Sequence, residues 1–191
     1  MKRHPAASSY ARALLEVAEK KGGDLVDTLF EELLALDLAM NSDAALRVFF
    51  ESPKIPRSEK KSVLEKVLSD QVSGELLNLL RMLIDRGRQF LFDQIVAIYG
   101  ELYDDFKSRI HVRVTTAAEL SDAKREQLTK LLADKLQREI LLSERVNEEL
   151  LGGMTIRFGD TVVDGSIRTQ LNKVREVIAS QRLGSDLIHE N

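Results

Sequence analysis

The residues whose types and spacing come closest to a chemical site lie in the segment 159–166, Gly-Asp-Thr-Val-Val-Asp-Gly-Ser. Two carboxylates, Asp160 and Asp164, precede Ser166, which can cap the first turn of a helix. Such an arrangement could hold a phosphate or a divalent cation. The further ligands of a calcium loop are missing, and both aspartates can instead bond the backbone of turns whose glycines take positive φ. We therefore interpret the segment as architecture, with an enzyme acting on a phosphorylated ligand as the alternative reading.

Other potentially reactive residues lack the spacing of a catalytic or metal site. Glu148 and Glu149 are adjacent, so their side chains do not face one site. His4, His111 and His189 are far apart, and the chain has no cysteine. The phosphate-binding loop, the dinucleotide glycine fingerprint and Gly-x-Ser-x-Gly are all absent. The sequence predicts no catalytic residue, no cofactor, no metal and no small-molecule substrate.

The composition is that of a globular protein with mixed surface charge. The chain has 191 residues, of which 43% are hydrophobic and 31% charged. Its 28 basic and 31 acidic residues give a net charge of −3 and are spread evenly, which disfavours nucleic-acid binding. No apolar run approaches the ~20 residues needed to cross a bilayer. The first residues also lack the apolar stretch of a signal peptide. We expect a cytoplasmic protein without direct membrane insertion.

The first part of the chain, residues 1–109, is predicted to form helices with short connections. Gly22-Gly23 and Gly87 are stop signals, and Ser58 and Ser73 are candidate N-caps. Short connections favour helices that pack as neighbours, so we predict a compact six-helix bundle. The expected helices are 6–21, 24–40, 44–50, 58–69, 75–86 and 89–108.

The pattern changes from helix to strand near residue 109, with no Pro/Gly linker between the two parts. Residues 110–115 alternate apolar and polar types, as expected of a strand with one buried face. A helix over 121–138, strands over 139–146 and 153–158 and a last helix capped by Ser166 follow. The prediction is a mainly α protein whose second domain, 110–191, is a small α+β unit.

Three helices carry apolar surface, and the periodicity does not decide whether that surface is buried inside its domain or contacts a partner. The apolar arcs of the first and fifth helices span roughly 200° and 220°, against ~100° or somewhat more for an ordinary surface helix. Both helices are central in the bundle, or each offers an edge to an amphipathic partner helix. The last helix has a narrow stripe that could dock on the strands or face a partner. A generic helical adaptor in another complex shares this evidence.

Several motifs together resemble the delta subunit of bacterial F-type ATP synthases, the counterpart of the mitochondrial oligomycin-sensitivity-conferring protein. The run 140–159, Ile-Leu-Leu-Ser-Glu-Arg-Val-Asn-Glu-Glu-Leu-Leu-Gly-Gly-Met-Thr-Ile-Arg-Phe-Gly, is similar to the signature of that family. The opening Tyr10-Ala11-Arg12-Ala13-Leu14, the basic turn Asp85-Arg86-Gly87-Arg88 and the continuation Asp164-Gly165-Ser166-Ile167 are also similar. The resemblance covers essentially the whole chain.

The resemblance implies a stator subunit without an active site of its own. It places the amino-terminal helix of an alpha subunit between the first and fifth helices, and the end of the b-subunit peripheral stalk on the carboxy-terminal domain. It also implies a location on the cytoplasmic face of the bacterial plasma (inner) membrane, through the complex. The expected alpha-groove residues are Tyr10, Ala11, Leu14, Leu76, Leu80 and Leu83, and the expected b contacts are Ile167, Leu171, Val174 and Ile178. The turn motif formed by Gly152, Gly153, Gly159, Asp160, Asp164, Gly165 and Ser166 is then structural. Leu80→Asp is expected to abolish alpha binding, because it places an unpaired charge in an apolar groove.

Overall fold

The computed structural model describes residues 4–175. The chain divides into two compact units, one ending at Lys107 and the other beginning at Ser108. The described part is mainly helical, with one small sheet in the second unit. None of its helices is both long enough and apolar enough to span a bilayer.

The first unit is built from α-helices separated by local stop and start signals. Asp43 caps α3 by accepting from the N–H groups of Ala45 and Leu46, and Ser73 caps α5 by accepting from Leu76. Gly87 ends α5 in the left-handed conformation at φ 62°, where glycine has no side chain to clash. The helices are α1 (Pro5–Lys21), α2 (Gly23–Ser42), α3 (Ala44–Glu51), α4 (Arg57–Leu68), α5 (Gly74–Arg86) and α6 (Phe92–Phe106).

Most helix ends in this unit differ from the prediction by one or two residues, and Ser58, a predicted N-cap, lies inside α4, whose N-cap is Pro56. The last helix differs at both ends. The segment expected to form one helix over 89–108 begins as a separate 3-10 turn, Gln89–Leu91, before α6. At the other end α6 stops at Phe106, and Ser108 follows with φ 53°. A non-glycine residue in this left-handed region cannot continue a right-handed helix, so α6 ends two residues before the predicted end at Ser108.

The core of the first unit lies where α1, α2, α5 and α6 meet. Ala11 and Tyr99 are both fully buried, and the Tyr99 hydroxyl donates to the Val26 carbonyl at 3.3 Å. The aromatic rings of Phe30 and Tyr103 stack at 4.1 Å between α2 and α6. The helix α1 packs against α6, α2 and α5, so it is central in this unit.

The second unit is a four-stranded sheet in the order β2-β1-β3-β4, with one helix on it. The strands are β1 (Arg109–Thr116), β2 (Glu139–Val146), β3 (Met154–Phe158) and β4 (Thr161–Asp164), and α7 spans Asp122–Leu136. Because β1 and β2 are parallel, α7 serves as the crossover between them. The alternation predicted for β1 places Val112 and Val114 in a core with Leu132 of α7. Ionisable groups of α7 and the sheet also pair, as between Arg125 and Glu144 at 2.9 Å.

The strand β4 is not predicted by the sequence analysis, which assigns Thr161 to a turn. Its sequence, Thr-Val-Val-Asp, does not alternate apolar and polar residues, and all four residues are exposed, so the period-2 pattern that predicts a strand is absent. It forms instead by antiparallel pairing with β3 across the two-residue turn at Gly159-Asp160. After β4 a helix begins at residue 167; it is described to residue 175, and we name this part α8.

Candidate helix-binding groove

An apolar groove lies between α1 and α5 of the first unit. The groove, together with the open solvent at its mouth, occupies about 600 Å³. The lining residues are Tyr10, Ala13, Leu14, Val17 and Lys21 from α1, and Glu75, Asn78, Leu79 and Met82 from α5. Val17 is 42% exposed and Met82 is 48% exposed. Two large apolar side chains therefore stand open to solvent on opposite walls.

The ends of the groove show how its two walls run. Lys21, the last residue of α1, pairs with Glu75 in the first turn of α5. The two helices are therefore antiparallel along the groove. This contact with Lys21 is the main reason why the pKa of Glu75 is lowered. Tyr10 lies eleven residues before Lys21, so the α1 wall is roughly 16 Å long at the helical rise of 1.5 Å per residue.

The structure separates the predicted groove residues into two sets. Tyr10 and Leu14 line the groove. The other four predicted residues are each 0% exposed, and they are Ala11, Leu76, Leu80 and Leu83. They belong to the core of the first unit, so their selection as groove-lining residues is corrected.

Two exposed groove residues that were not selected, Val17 and Met82, belong to the wide apolar arcs, whereas a third, Leu79, is 2% exposed and lies in the core. Val17, Leu79 and Met82 all contribute to those arcs. Met82 follows Leu80 by two positions, which rotates it by about 200° around the helix axis. An apolar arc wider than the sector that neighbouring helices cover leaves some of its side chains exposed, as it does Val17 and Met82. The width of the arc indicates that such side chains exist, but it does not show which residues they are.

The stripe on α8 is partly internal and partly open. Ile167 contacts the turn at Gly152, where an added Cβ would lie 2.6 Å from its Cδ1 atom. Leu171 is 53% exposed and Val174 is 55% exposed. The fourth predicted residue, Ile178, lies outside the described residues.

The segment 159–166 forms a hydrogen-bonded turn. One oxygen of Asp164 accepts from the Ser166 N–H at 2.8 Å, and the other accepts from the Thr169 hydroxyl at 2.9 Å. Ser166 caps α8 by accepting from the Thr169 N–H at 3.3 Å. These contacts account for Asp164 as a turn residue, while Asp160 has no side-chain hydrogen bond within residues 4–175. Within the same range no group of three or more His, Cys, Asp or Glu residues is placed to hold a metal ion.

The glycines of the turn motif differ in what they do. Gly152, Gly153 and Gly159 have positive φ values of 147°, 80° and 52°. Gly153 lies against the backbone of Gly165 and Ser166, so it also allows a close approach of two chain segments. Gly165 donates its N–H to the Met154 carbonyl at 2.9 Å, which ties the two segments together.

Acid is expected to destabilise this turn through Asp164. The Ser166 N–H is the main group that holds the pKa of Asp164 below its ordinary value, and the Ser166 and Thr169 side chains add to it. A carboxyl whose pKa is lower in the folded state stabilises the fold above its unfolded pKa of about 3.9. That stabilisation is lost as the pH falls from this value through the lowered folded pKa. We expect Asp164→Ala to reduce the acid sensitivity of the amide protection in β3 and β4, measured by hydrogen exchange at neutral and acidic pH. An unchanged acid dependence would contradict this role, and Asp160→Ala is the matched control.

Comparisons with known proteins identify the class to which the chain belongs. The family model described as "ATP synthase delta (OSCP) subunit" matches residues 6–178. The ATP synthase subunit delta of Symbiobacterium thermophilum is 33% identical over 180 residues, covering 94% of this chain and 96% of that protein. The corresponding subunit of Nitratidesulfovibrio vulgaris is 36% identical over 173 residues, covering 90% of this chain and 94% of its own. A subunit of a bioenergetic complex, without a catalytic site of its own, is the class that these matches define.

The chain belongs to the ATP synthase delta (OSCP) subunit family. A stator role in the peripheral stalk fits this family. The fold is shared with a chain in the cryo-EM structure of the Toxoplasma gondii mitochondrial ATP synthase hexamer. The TM-score of that match is 0.65 at 19% identity, and it covers 92% of this chain and 98% of that chain.

Proposed function

We propose that the groove between α1 and α5 binds the amino-terminal helix of the ATP synthase alpha subunit, and that α8 binds the carboxy-terminal end of the b subunit. The six α-helices of the first unit are then the head-binding bundle, and the second unit is the stalk-binding domain. In this role the chain joins the catalytic head to the peripheral stalk at the cytoplasmic face of the bacterial plasma membrane. It reaches that membrane only through the complex.

The main support for the proposal is that a chain of this family has an open apolar groove between α1 and α5. Its length suits about three turns of a bound helix. Its walls offer Val17 and Met82, whose exposed apolar area a partner helix would cover. The family membership makes an ATP synthase subunit the partner that best fits the groove.

The proposed role is mechanical. Rotation of the central stalk would drag the catalytic head with it, so the joint between the head and the peripheral stalk must resist torque. Burial of each Leu-sized side chain contributes ~1.5–3 kcal/mol before the costs of association are subtracted. Nanomolar affinity corresponds to about −12 kcal/mol, so even before the costs of association it requires about four to eight such side chains.

A calorimetric titration tests the alpha assignment. The full chain is titrated with a synthetic peptide that covers the amino-terminal helix of the alpha subunit from the same genome. We expect one-to-one binding that Met82→Asp weakens about thirtyfold, or ~2 kcal/mol, because the variant loses apolar contact and introduces a charge into the groove. Leu38→Asp introduces the same charge at a 67% exposed position of α2 outside the groove, and it should bind as the unaltered chain does. Equal binding by both variants would overturn the groove assignment.

The b assignment has its own titration, with a peptide from the carboxy-terminal end of the b subunit of the same genome. Leu171→Asp alters an exposed side chain of α8, so we expect the fold to persist and this peptide to bind at least about tenfold more weakly. Binding of the alpha peptide should not change. A Leu171→Asp chain that binds the b peptide normally would show that the α8 stripe is not the contact.

A further inference from the structure

In the described part of the second unit, one face of the sheet carries a basic surface without partners. Val112 and Val114 point into the core that β1 forms with α7, so the alternate residue Arg113 points to the opposite face. The register places Arg157 of β3 and Ser143 of β2 level with Arg113 on this face. Arg145 follows Ser143 by two residues and lies on the same face. We name Arg113, Arg145 and Arg157 the arginine face.

The three arginines lie on adjacent strands, and no described residue supplies a counter-charge to them. Arg113 and Arg157 are directly opposed on antiparallel strands, and all three side chains are exposed. Within residues 4–175 none of the three has a hydrogen bond or an ion pair. Like charges in directly opposed positions destabilise a sheet. Within the described residues this is an unfavourable arrangement that a bound anion would relieve.

The acidic groups on the same face are occupied elsewhere. Glu139 pairs with Arg109 at 2.8 Å. The carboxylate of Asp164 accepts the hydrogen bonds from Ser166 and Thr169 described above. A shallow depression of about 730 Å³ remains, lined by His111, Arg113, Ser143, Arg157 and Gly159. Its rim carries two guanidinium forks, which are donors for carboxylate oxygens, while the Ser143 hydroxyl donates to the Val112 carbonyl at 3.4 Å.

We propose that the arginine face binds an acidic segment of a partner polypeptide. Each guanidinium can hold a carboxylate through two parallel hydrogen bonds, which suits successive acidic side chains along a peptide. Leu141 and Val162 lie on this face beside the arginines and provide apolar contact for the peptide between its charges. This contact is separate from the α1–α5 groove and does not depend on its occupant.

Fluorescence anisotropy tests the proposal with a labelled peptide that alternates glutamate and serine, added to the full chain at low salt. The double variant Arg113→Gln/Arg157→Gln should bind this peptide about tenfold more weakly or worse, because charge-assisted hydrogen bonds are lost. The matched control, Lys124→Gln/Lys130→Gln, removes the same charge from exposed positions of α7 and should bind as the unaltered chain does. The glutamine-serine analogue of the peptide should not bind.

A third variant separates binding from folding. Arg157→Glu places opposite charges in directly opposed positions on β1 and β3, so it should raise the thermal stability of the second unit while it abolishes binding of the acidic peptide. Calorimetric binding of the alpha peptide should be the same in all these variants, so failure here is distinguishable from failure of the groove assignment. Three results would overturn the proposal. They are no binding of the acidic peptide, equal loss in the α7 control, and a preference for inorganic phosphate, an oligonucleotide or phosphatidylglycerol vesicles over the peptide.

Discussion

Leu80→Asp is expected to unfold the first unit. Leu80 is 0% exposed and lies in the core cluster that joins α1, α2, α5 and α6. The substitution removes a buried side chain, which costs ~2–5 kcal/mol in comparable leucine truncations, and adds the cost of an unpaired buried carboxylate. A loss of about 5 kcal/mol or more is comparable with the whole stability of a typical domain.

Tyrosine fluorescence measures this effect selectively. All three tyrosines, Tyr10, Tyr99 and Tyr103, lie in the first unit, and the chain has no tryptophan. The fluorescence of Leu80→Asp should show no cooperative unfolding transition in urea at room temperature. A transition like that of the unaltered chain would contradict the burial of Leu80.

Met82→Asp is the matched control, because it introduces the same charge in the same helix at a 48% exposed position. It should keep the urea transition and lose affinity only for the alpha peptide. Comparison of the two variants distinguishes a loss of binding caused by unfolding from one caused by the loss of a groove contact. A binding loss in Leu80→Asp would report unfolding, and not the removal of a groove contact as the sequence analysis expected.

Gly153→Ala is expected to destabilise the second unit by about 3 kcal/mol or more. Gly153 has φ +80°, where a side chain is strained. An added Cβ would also overlap the Gly165 carbonyl oxygen and lie 3.0 Å from the Ser166 Cα atom. Both neighbours are backbone atoms, so no side-chain rotation can make room.

Amide hydrogen exchange distinguishes this effect from a general loss of stability. Protection should fall in β1, β3 and β4 of Gly153→Ala, while the tyrosine transition of the first unit stays unchanged. Gly159→Ala is the control, because its φ is +52° but no atom lies within 4 Å of the added Cβ. It should cost only the ~1 kcal/mol of left-handed backbone strain. If the two variants are equally stable, the close approach at Gly153 does not limit the fold.

The sequence predicted best those features that depend on neighbouring residues. Gly87 ends α5 and Ser73 begins it, because a left-handed C-cap and a hydroxyl N-cap are local requirements. The alternation in β1 also gave its buried face correctly. Fully exposed β4 gave no such signal, since only pairing with β3 defines it.

The groove residues could be predicted only in part because exposure depends on the whole unit. The arcs of the first and fifth helices were correctly recognised as wide, but a helical wheel does not show which sector the other helices cover. The structure places Leu80 under that cover and leaves Met82 outside it. The sequence analysis left two interpretations of these helices, that they are central in the bundle or that they contact a partner. Each interpretation therefore describes a different sector of the same helices.

The packing of α1 against α6 has a consequence for the order of events during synthesis. The helix α1 leaves the ribosome before α6, so the part of its buried face that α6 covers stays open until the last helix of the unit has emerged. The groove wall formed by α1 and α5 is therefore not held in place until α6 has emerged. A partner that requires this wall encounters it only on chains whose first unit is complete, so nascent fragments ending before α6 should be poor competitors for assembly.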